Sequence, residues 1–300
     1  MIAGDVVYLR PETAEEAVEA WRRHAGARYL AGGTEIATAT RRTAAYDLRA
    51  CIDVKRIPEA NVHEMCGERL CLGAALTLSD VVAGDAFPLL NAVLRGIADH
   101  TVRNRLTLGG NLAGLLPYRE AALPLLIADA TVLTLAPGQD DAPAVRRERR
   151  LREIFDRRLV LAPGELVLWF SVPIDATEWH WSHQRKTRTG PVDYPLVTTA
   201  LVQAGDQVRF AVAGAHPYPF RSDAVDALLT EWFAARGSEK EISPPPAAQS
   251  GPDSPTAQGR GGLEAILAAL GPLRGDARAS AEYRRHLLQH VLRVSLEELA

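Results

Sequence analysis

The chain has 300 residues, of which 47% are hydrophobic and 24% charged, ordinary globular usage with room for two or three compact units and a sizeable core. A formal net charge of −3 supplies no basic field for nucleic acid or an anionic membrane, and no apolar run is long enough to span a bilayer. Cys51, Cys66 and Cys71 form no C-x-x-C pair; they read as free thiols rather than a disulfide framework or a metal or iron–sulfur site, which with an N-terminus unlike a secretory signal points to the cytoplasm.

In chain order, Val6–Leu9 reads as a strand, and Thr13-Ala14-Glu15-Glu16 is a capping box opening an amphipathic helix that Gly26 ends. A strand at Ala27–Ala31, a helix at Thr34–Arg42 and a strand at Cys51–Val54 complete a β-α-β-α-β opening. Leu70–Ala75 is a strand, followed by helices near Leu78–Val82 and Pro88–Ala98, a helix at Glu120–Ala128 and a strand at Thr131–Leu135. The polar run Gln139–Arg150 reads as a solvated loop, and the apolar run Glu165–Val172 as a strand closed by Pro173, with a boundary at Pro173–Thr177. Strands at Tyr194–Val202 and Gln207–Gly214 flank a Gly205-Asp206 turn, and Ser222–Ala235 is helical. Glu239–Gly262, with Pro244-Pro245-Pro246 and many Ser, Gln and Gly residues, reads as a flexible insertion; helices at Leu263–Leu270 and Ser280–Glu298 close the chain.

Two glycine turns carry the chemistry: Ala31-Gly32-Gly33-Thr34-Glu35 and Thr107-Leu108-Gly109-Gly110-Asn111. Glycine lets main-chain N–H groups converge on an anion and removes the Cβ that would hold it away. Two such turns from different lobes suggest a diphosphate gripped from both sides, the first aided by a helix starting at Thr34. A tight strand-to-helix turn without ligand is the alternative for each. Asp53 stands where a dinucleotide-binding βαβ unit places its acid, but no G-x-G-x-x-G precedes it. His180 and His183 fall on opposite faces of a strand, which disfavours a metal pair.

Taken together, Tyr29-Leu30-Ala31-Gly32-Gly33-Thr34-Glu35-Ile36, Leu72-Gly73-Ala74-Ala75-Leu76-Thr77, Val102–Ala113, Pro163-Gly164-Glu165-Leu166 with Val172-Pro173, Lys186 seven residues before Asp193-Tyr194, and Asp276–Arg284 resemble the FAD-binding medium subunit of the molybdenum hydroxylases. That group includes the flavoproteins of xanthine dehydrogenase and carbon monoxide dehydrogenase. The resemblance implies an α+β fold. A two-lobed FAD-binding domain would span 1–173, with a β/α lobe to about 55 and a mixed-sheet lobe after it. A small α+β C-terminal domain would span 178–300, with the insertion at 239–262.

It implies FAD contacts from Leu30, Ala31, Gly32, Gly33, Thr34, Glu35 and Ile36, and from Thr107, Gly109, Gly110 and Asn111. Leu166 and Val167 match positions lining the isoalloxazine, and Lys186 a cation beside the electron-accepting end; core packing and an exposed lysine are the competing readings. Glu120 departs from the family pattern, in which Pro is followed three residues later by Asp; here the longer carboxylate of Pro117-Tyr118-Arg119-Glu120 reaches farther. The implied function is electron exit. A large molybdopterin subunit oxidises substrate, a small subunit with [2Fe-2S] clusters relays electrons, and FAD on this chain passes them to NAD+ or another acceptor. Purine oxidation, as of xanthine, is the expected reaction, with carbon monoxide, aldehydes and N-heterocycles left open. The rivals are an NAD-dependent dehydrogenase and a degenerate assembly subunit without flavin.

Overall fold

A computed structural model describes residues 6–42, 48–139, 142–239 and 255–300. The first lobe is β1 (Val7–Leu9), α1 (Ala14–Arg23), β2 (Ala27–Leu30), α2 (Thr34–Arg42) and β3 (Ala50–Asp53). Its strands form a parallel sheet in the order β1-β3-β2. The capping box forms as expected: the Thr13 hydroxyl accepts from the Glu16 N–H, and the Glu16 carboxylate accepts from the Thr13 N–H.

The second lobe contains β4 (His63–Cys66), β5 (Arg69–Gly73), α3 (Leu78–Gly84), α4 (Pro88–Arg95), α5 (His100–Arg103), α6 (Leu108–Ala113), α7 (Ala122–Ile127), β6 (Thr131–Ala136), β7 (Val145–Arg150), α8 (Leu151–Ile154), β8 (Phe155–Asp156), β9 (Arg158–Leu159) and β10 (Leu166–Pro173). Its main sheet runs β4-β5-β10-β6-β7, antiparallel where β5, β10, β6 and β7 meet. The run expected as a solvated loop ends in β7, an edge strand without apolar alternation. Its arginines are matched to acids instead: Arg146 binds Glu15 and Glu59, and Arg149 binds Glu165. Charge on an edge strand also discourages pairing with other chains.

The continuous apolar run of β10 is explained by burial on both faces. Leu166 and Leu168 pack into the first lobe's core, while Val167, Phe170 and Val172 join the core of the second. A bulge between Val167 and Trp169 makes that change of parity possible.

Beyond a short 3-10 turn at Ile174–Thr177, a separate antiparallel sheet holds β11 (His180–Thr187), β12 (Pro195–Ala204), β13 (Gln207–Ala213) and β14 (Phe220–Arg221) in that order. On one face, Val197, Leu201, Phe210 and Val212 pack with α9 (Asp223–Glu239), α10 (Pro255–Ala269) and α11 (Ala281–Leu299). On the other, Ala200, Val202, Ala211 and Ala213 share the second lobe's core with buried α7. The helix expected from Leu263 thus begins at Pro255, inside the segment read as a flexible insertion; residues 240–254 of that segment lie outside the described residues.

One expectation about the cysteines is corrected. Cys66 and Cys71 are disulfide-bonded across the β4–β5 hairpin, with Cα atoms 6.0 Å apart, and only Cys51 is a free, buried thiol. Spacing along the chain does not reveal that a hairpin brings the two residues within reach on neighbouring strands, diagonally across the register.

Candidate functional site

The first glycine turn caps β2 and launches α2. Gly33 has φ +71, a left-handed conformation that favours glycine, and a Cβ there would lie 2.7 Å from the Leu30 side chain. Gly32 makes the closer approach: a Cβ on it would sit 1.9 Å from the Arg105 carbonyl oxygen. That carbonyl belongs to the segment leading into the second turn, so the fold brings the two glycine turns into direct contact. The Gly33 carbonyl accepts from the Ala37 N–H at 2.9 Å, as a helix start requires. Among the described residues, no acceptor meets the N–H groups of Gly33, Thr34, Glu35 or Ile36. Four unpaired donors at the positive end of a helix form a ready anion site.

The neighbours of this turn are already committed. The Leu30 carbonyl accepts from Val54 N–H at 3.0 Å, and the Ala31 carbonyl accepts from Lys55 Nζ at 3.1 Å. Lys55 also pairs with buried Asp53 at 2.8 Å, and the Tyr8 hydroxyl donates to the same carboxylate. Burial pushes the Asp53 pKa up, but the Lys55 and Tyr8 hydrogen bonds outweigh it and hold the group below its usual range. Asp53 therefore acts as a strut for Lys55 and Tyr8. Glu35 turns its carboxylate across the lobes to accept from Leu115 N–H at 2.8 Å. That placement resolves a physical difficulty, because an acid aimed at a diphosphate would repel it.

The second turn differs from the sequence expectation in how its donors are used. It forms the first turn of α6, with Thr107 as N-cap. Leu108 N–H donates to the Leu76 carbonyl at 2.9 Å, Gly109 N–H to Ala74 at 2.8 Å, and Gly110 N–H to the Thr107 hydroxyl at 3.2 Å. Gly109 is glycine for packing, since a Cβ would lie 2.7 Å from that of Ala74. What this turn presents outward is the bare, exposed Gly110 and the carboxamide NH2 of Asn111, whose oxygen accepts from Ala121 N–H at 3.3 Å. Leu166 and Val167 are both buried in core, as described above.

The structure turns Glu120 toward the C-terminal sheet. Its buried carboxylate accepts from Arg185 Nε at 2.8 Å and from the Thr198 hydroxyl at 2.8 Å. Burial raises its pKa, opposed by those same donors. Arg185 pairs in register with Thr198, on the face toward the second lobe. Lys186 pairs with Val197, whose side chain packs among the helices. Strict alternation therefore puts Lys186 on the face opposite Arg185, the helix-packed one, so the register does not bring it to the second-lobe side of the sheet. Its ammonium has no hydrogen-bond or ion-pair partner among the described residues. The His180–His183 pair stays apart, and no cluster of metal-ligating side chains occurs among the described residues.

Sequence reasoning missed Lys55, Arg119 and Arg185. Arg119 is buried, with Nε and Nη1 unpartnered and its guanidinium 5.4 Å from the centre of the Phe155 ring. Among so many arginines, the chain carries no local signal that marks these ones.

Comparison with known proteins follows the same geometry. The family model described as "FAD binding domain in molybdopterin dehydrogenase" matches residues 3–175, the two lobes and both glycine turns. The chain belongs to this family. FAD is accordingly its cofactor, and the donors of α2, the contact at Gly32 and the bare Gly110 fit a diphosphate-bearing ligand. Its relatives include the glyceraldehyde dehydrogenase medium chain of Sulfolobus acidocaldarius, 24% identical with 98% of each chain covered. The nicotine 6-hydroxylase medium subunit of Paenarthrobacter nicotinovorans is 27% identical, covering 97% of this chain and 96% of that one. In fold, the chain resembles a carbon monoxide dehydrogenase structure from Hydrogenophaga pseudoflava, with TM-score 0.78, 22% identity, and 100% and 98% of the two chains covered. Among the described residues, no helix is long and apolar enough to cross a membrane.

Proposed function

We propose that this chain is the electron-exit subunit of a molybdopterin-dependent dehydrogenase. The carrying observation is the row of unpaired N–H groups from Gly33 to Ile36, held against the second lobe by the Gly32–Arg105 contact. Those donors hold the FAD diphosphate, while Gly110 leaves room for it and Asn111 adds a side-chain donor. Bound FAD supplies the exchange of electrons between a two-electron acceptor and one-electron centres.

In this reading a large molybdopterin subunit and a small [2Fe-2S] subunit complete the complex, and NAD+ or another acceptor takes the electrons. NAD+ being a cytoplasmic coenzyme, the complex belongs in the cytoplasm. Support for partners comes from relatives that are themselves medium chains or medium subunits. A xanthine dehydrogenase-like activity on a purine is one form of this function; selection of substrate would rest with the large subunit. The division into an FAD-binding unit over 1–173 and a C-terminal unit over 178–300 belongs to the same proposal, supported by their separate sheets. The test is to purify the complex, reduce it anaerobically with substrate, and follow the visible flavin band. The band should bleach, then recover on adding NAD+. A flavin-free complex that still reduced NAD+ would overturn the proposal.

A further inference from the structure

Residues 188–194 link β11 to β12 and lie against the segment that Asn111 ties to the second glycine turn. The loop is held from three sides. From below, Arg185 Nη1 donates to the Pro191 carbonyl and Nη2 to the Asp193 carbonyl, each at 2.8 Å. From the C-terminal region, Arg278 donates to the Asp193 carboxylate at 2.6 Å and to the Tyr194 carbonyl at 2.9 Å. From the second lobe, Tyr118 stacks on Tyr194, ring centres 4.9 Å apart and 18° from parallel. Two residues after Tyr118, Glu120 takes the remaining edge of the Arg185 guanidinium, at 2.8 and 3.4 Å. With the Thr198 hydroxyl also donating to it, that carboxylate is fully engaged inside the protein.

We propose that Glu120 is a positioning residue: acting through Arg185, it fixes the 188–194 loop and the Tyr194 ring beside the cofactor cleft, without itself binding FAD. This rests on the electron-exit reading above. A planar guanidinium can grip a carboxylate on one edge and two carbonyls on the other, which an ammonium cannot do. The longer glutamate suits the task because its carboxylate must cross from the second lobe to the C-terminal sheet. Once that charge is removed, Arg185 is left buried with no counter-ion and its hold on the two carbonyls relaxes. Tyr194 is half exposed, so the loop then keeps only the Arg278 contacts and the stack on Tyr118.

The test compares the full-length holo chain with Glu120→Gln and Arg185→Lys. Asp129→Asn serves as the comparison, because Asp129 joins Arg209 and Arg221 at the opposite end of α7 and does not touch the loop. Two readouts are taken: the rate of trypsin cleavage after exposed Arg188, and the visible circular dichroism of bound flavin. Cleavage should accelerate by about tenfold or more in both loop variants, as expected when about 1.4 kcal/mol of local opening energy is lost. Their flavin dichroism should shift, while Asp129→Asn matches wild type in both. Arg185→Lys keeps the buried charge, so it carries the test if Glu120→Gln does not fold. Wild-type cleavage and dichroism in the loop variants would overturn the proposal, as would equal acceleration in Asp129→Asn. A wild-type chain without FAD would instead defeat the electron-exit reading and leave the cleavage comparison to decide the role of Glu120 in holding the loop.

Discussion

Replacing Gly32 with alanine adds a single methyl group at the contact between the two glycine turns. Built on the existing backbone, that carbon lies 1.9 Å from the Arg105 carbonyl oxygen and 3.0 Å from its carbonyl carbon. Both are backbone atoms, so no side chain can swing aside. Reaching ordinary contact requires the turns to separate by roughly 1.5 Å, and overpacking of this kind costs about 1–3 kcal/mol of stability. The consequence for the ligand is larger. Hydrogen bonds to a charged group are worth about 1.5–3 kcal/mol each, so misplacing two of the donors from Gly33 to Ile36 weakens FAD binding roughly a hundred- to ten-thousand-fold. Titrating apoprotein with FAD and following flavin fluorescence gives the dissociation constant; thermal unfolding of the apoprotein gives the stability term. Gly32→Ala should show a moderate loss of stability and a much larger loss of affinity. Wild-type affinity in a folded Gly32→Ala chain would refute the assignment of this contact to diphosphate binding.

Gly110→Val meets only the Thr107 hydroxyl, 2.7 Å from the added Cβ, so it should weaken the N-cap by about 1 kcal/mol and obstruct the bare face, with flavin lost but the C-terminal sheet still folded by circular dichroism. Lys186→Met should leave both the flavin reduction potential and FAD content unchanged, since the register turns Lys186 to the helix side of the C-terminal sheet; a lowered potential in redox titration would put its ammonium at the flavin instead. Burial depresses the pKa values of His183 and His216, so the folded state resists protons that the unfolded chain accepts. Stability should therefore fall as pH drops below the ordinary histidine value of 6.5 toward the depressed ones. His216→Phe should soften that acid sensitivity in thermal melts, since the ring packs at a tilt against Phe220 and its Nε2 has no partner to lose.

Much of the fold is legible in the sequence because local chemistry and tertiary packing agree there. The Thr13 box, the glycine turn before Thr34 and the Gly205-Asp206 turn each specify their own geometry, and periodicity does the rest for α1, β12 and β13. Legibility fails where long-range pairing decides. β7 carries no alternation and becomes a strand through acids on other segments. Cys66 and Cys71 meet only because β4 folds back on β5. Within the site, the free donors of the first turn are legible in sequence, since a helix start leaves its leading N–H groups unpaired. Those of the second are not: whether the N–H groups of Leu108 and Gly109 stay free depends on Ala74 and Leu76, more than thirty positions earlier in the chain. Glu120 and Arg185 show the same limit, since a carboxylate near a cofactor motif and a carboxylate reaching to another sheet look alike until strand register fixes which face holds the arginine.

The identity of the flavin released when the purified protein is heat-denatured tests the diphosphate site most directly. A helix N-terminus built to hold a diphosphate should retain FAD in stoichiometric amount, resolved by chromatography from FMN. Recovery of FMN as the main species, or of no flavin at all from a folded protein, would contradict the role assigned to Gly32, Gly33 and the free donors of α2.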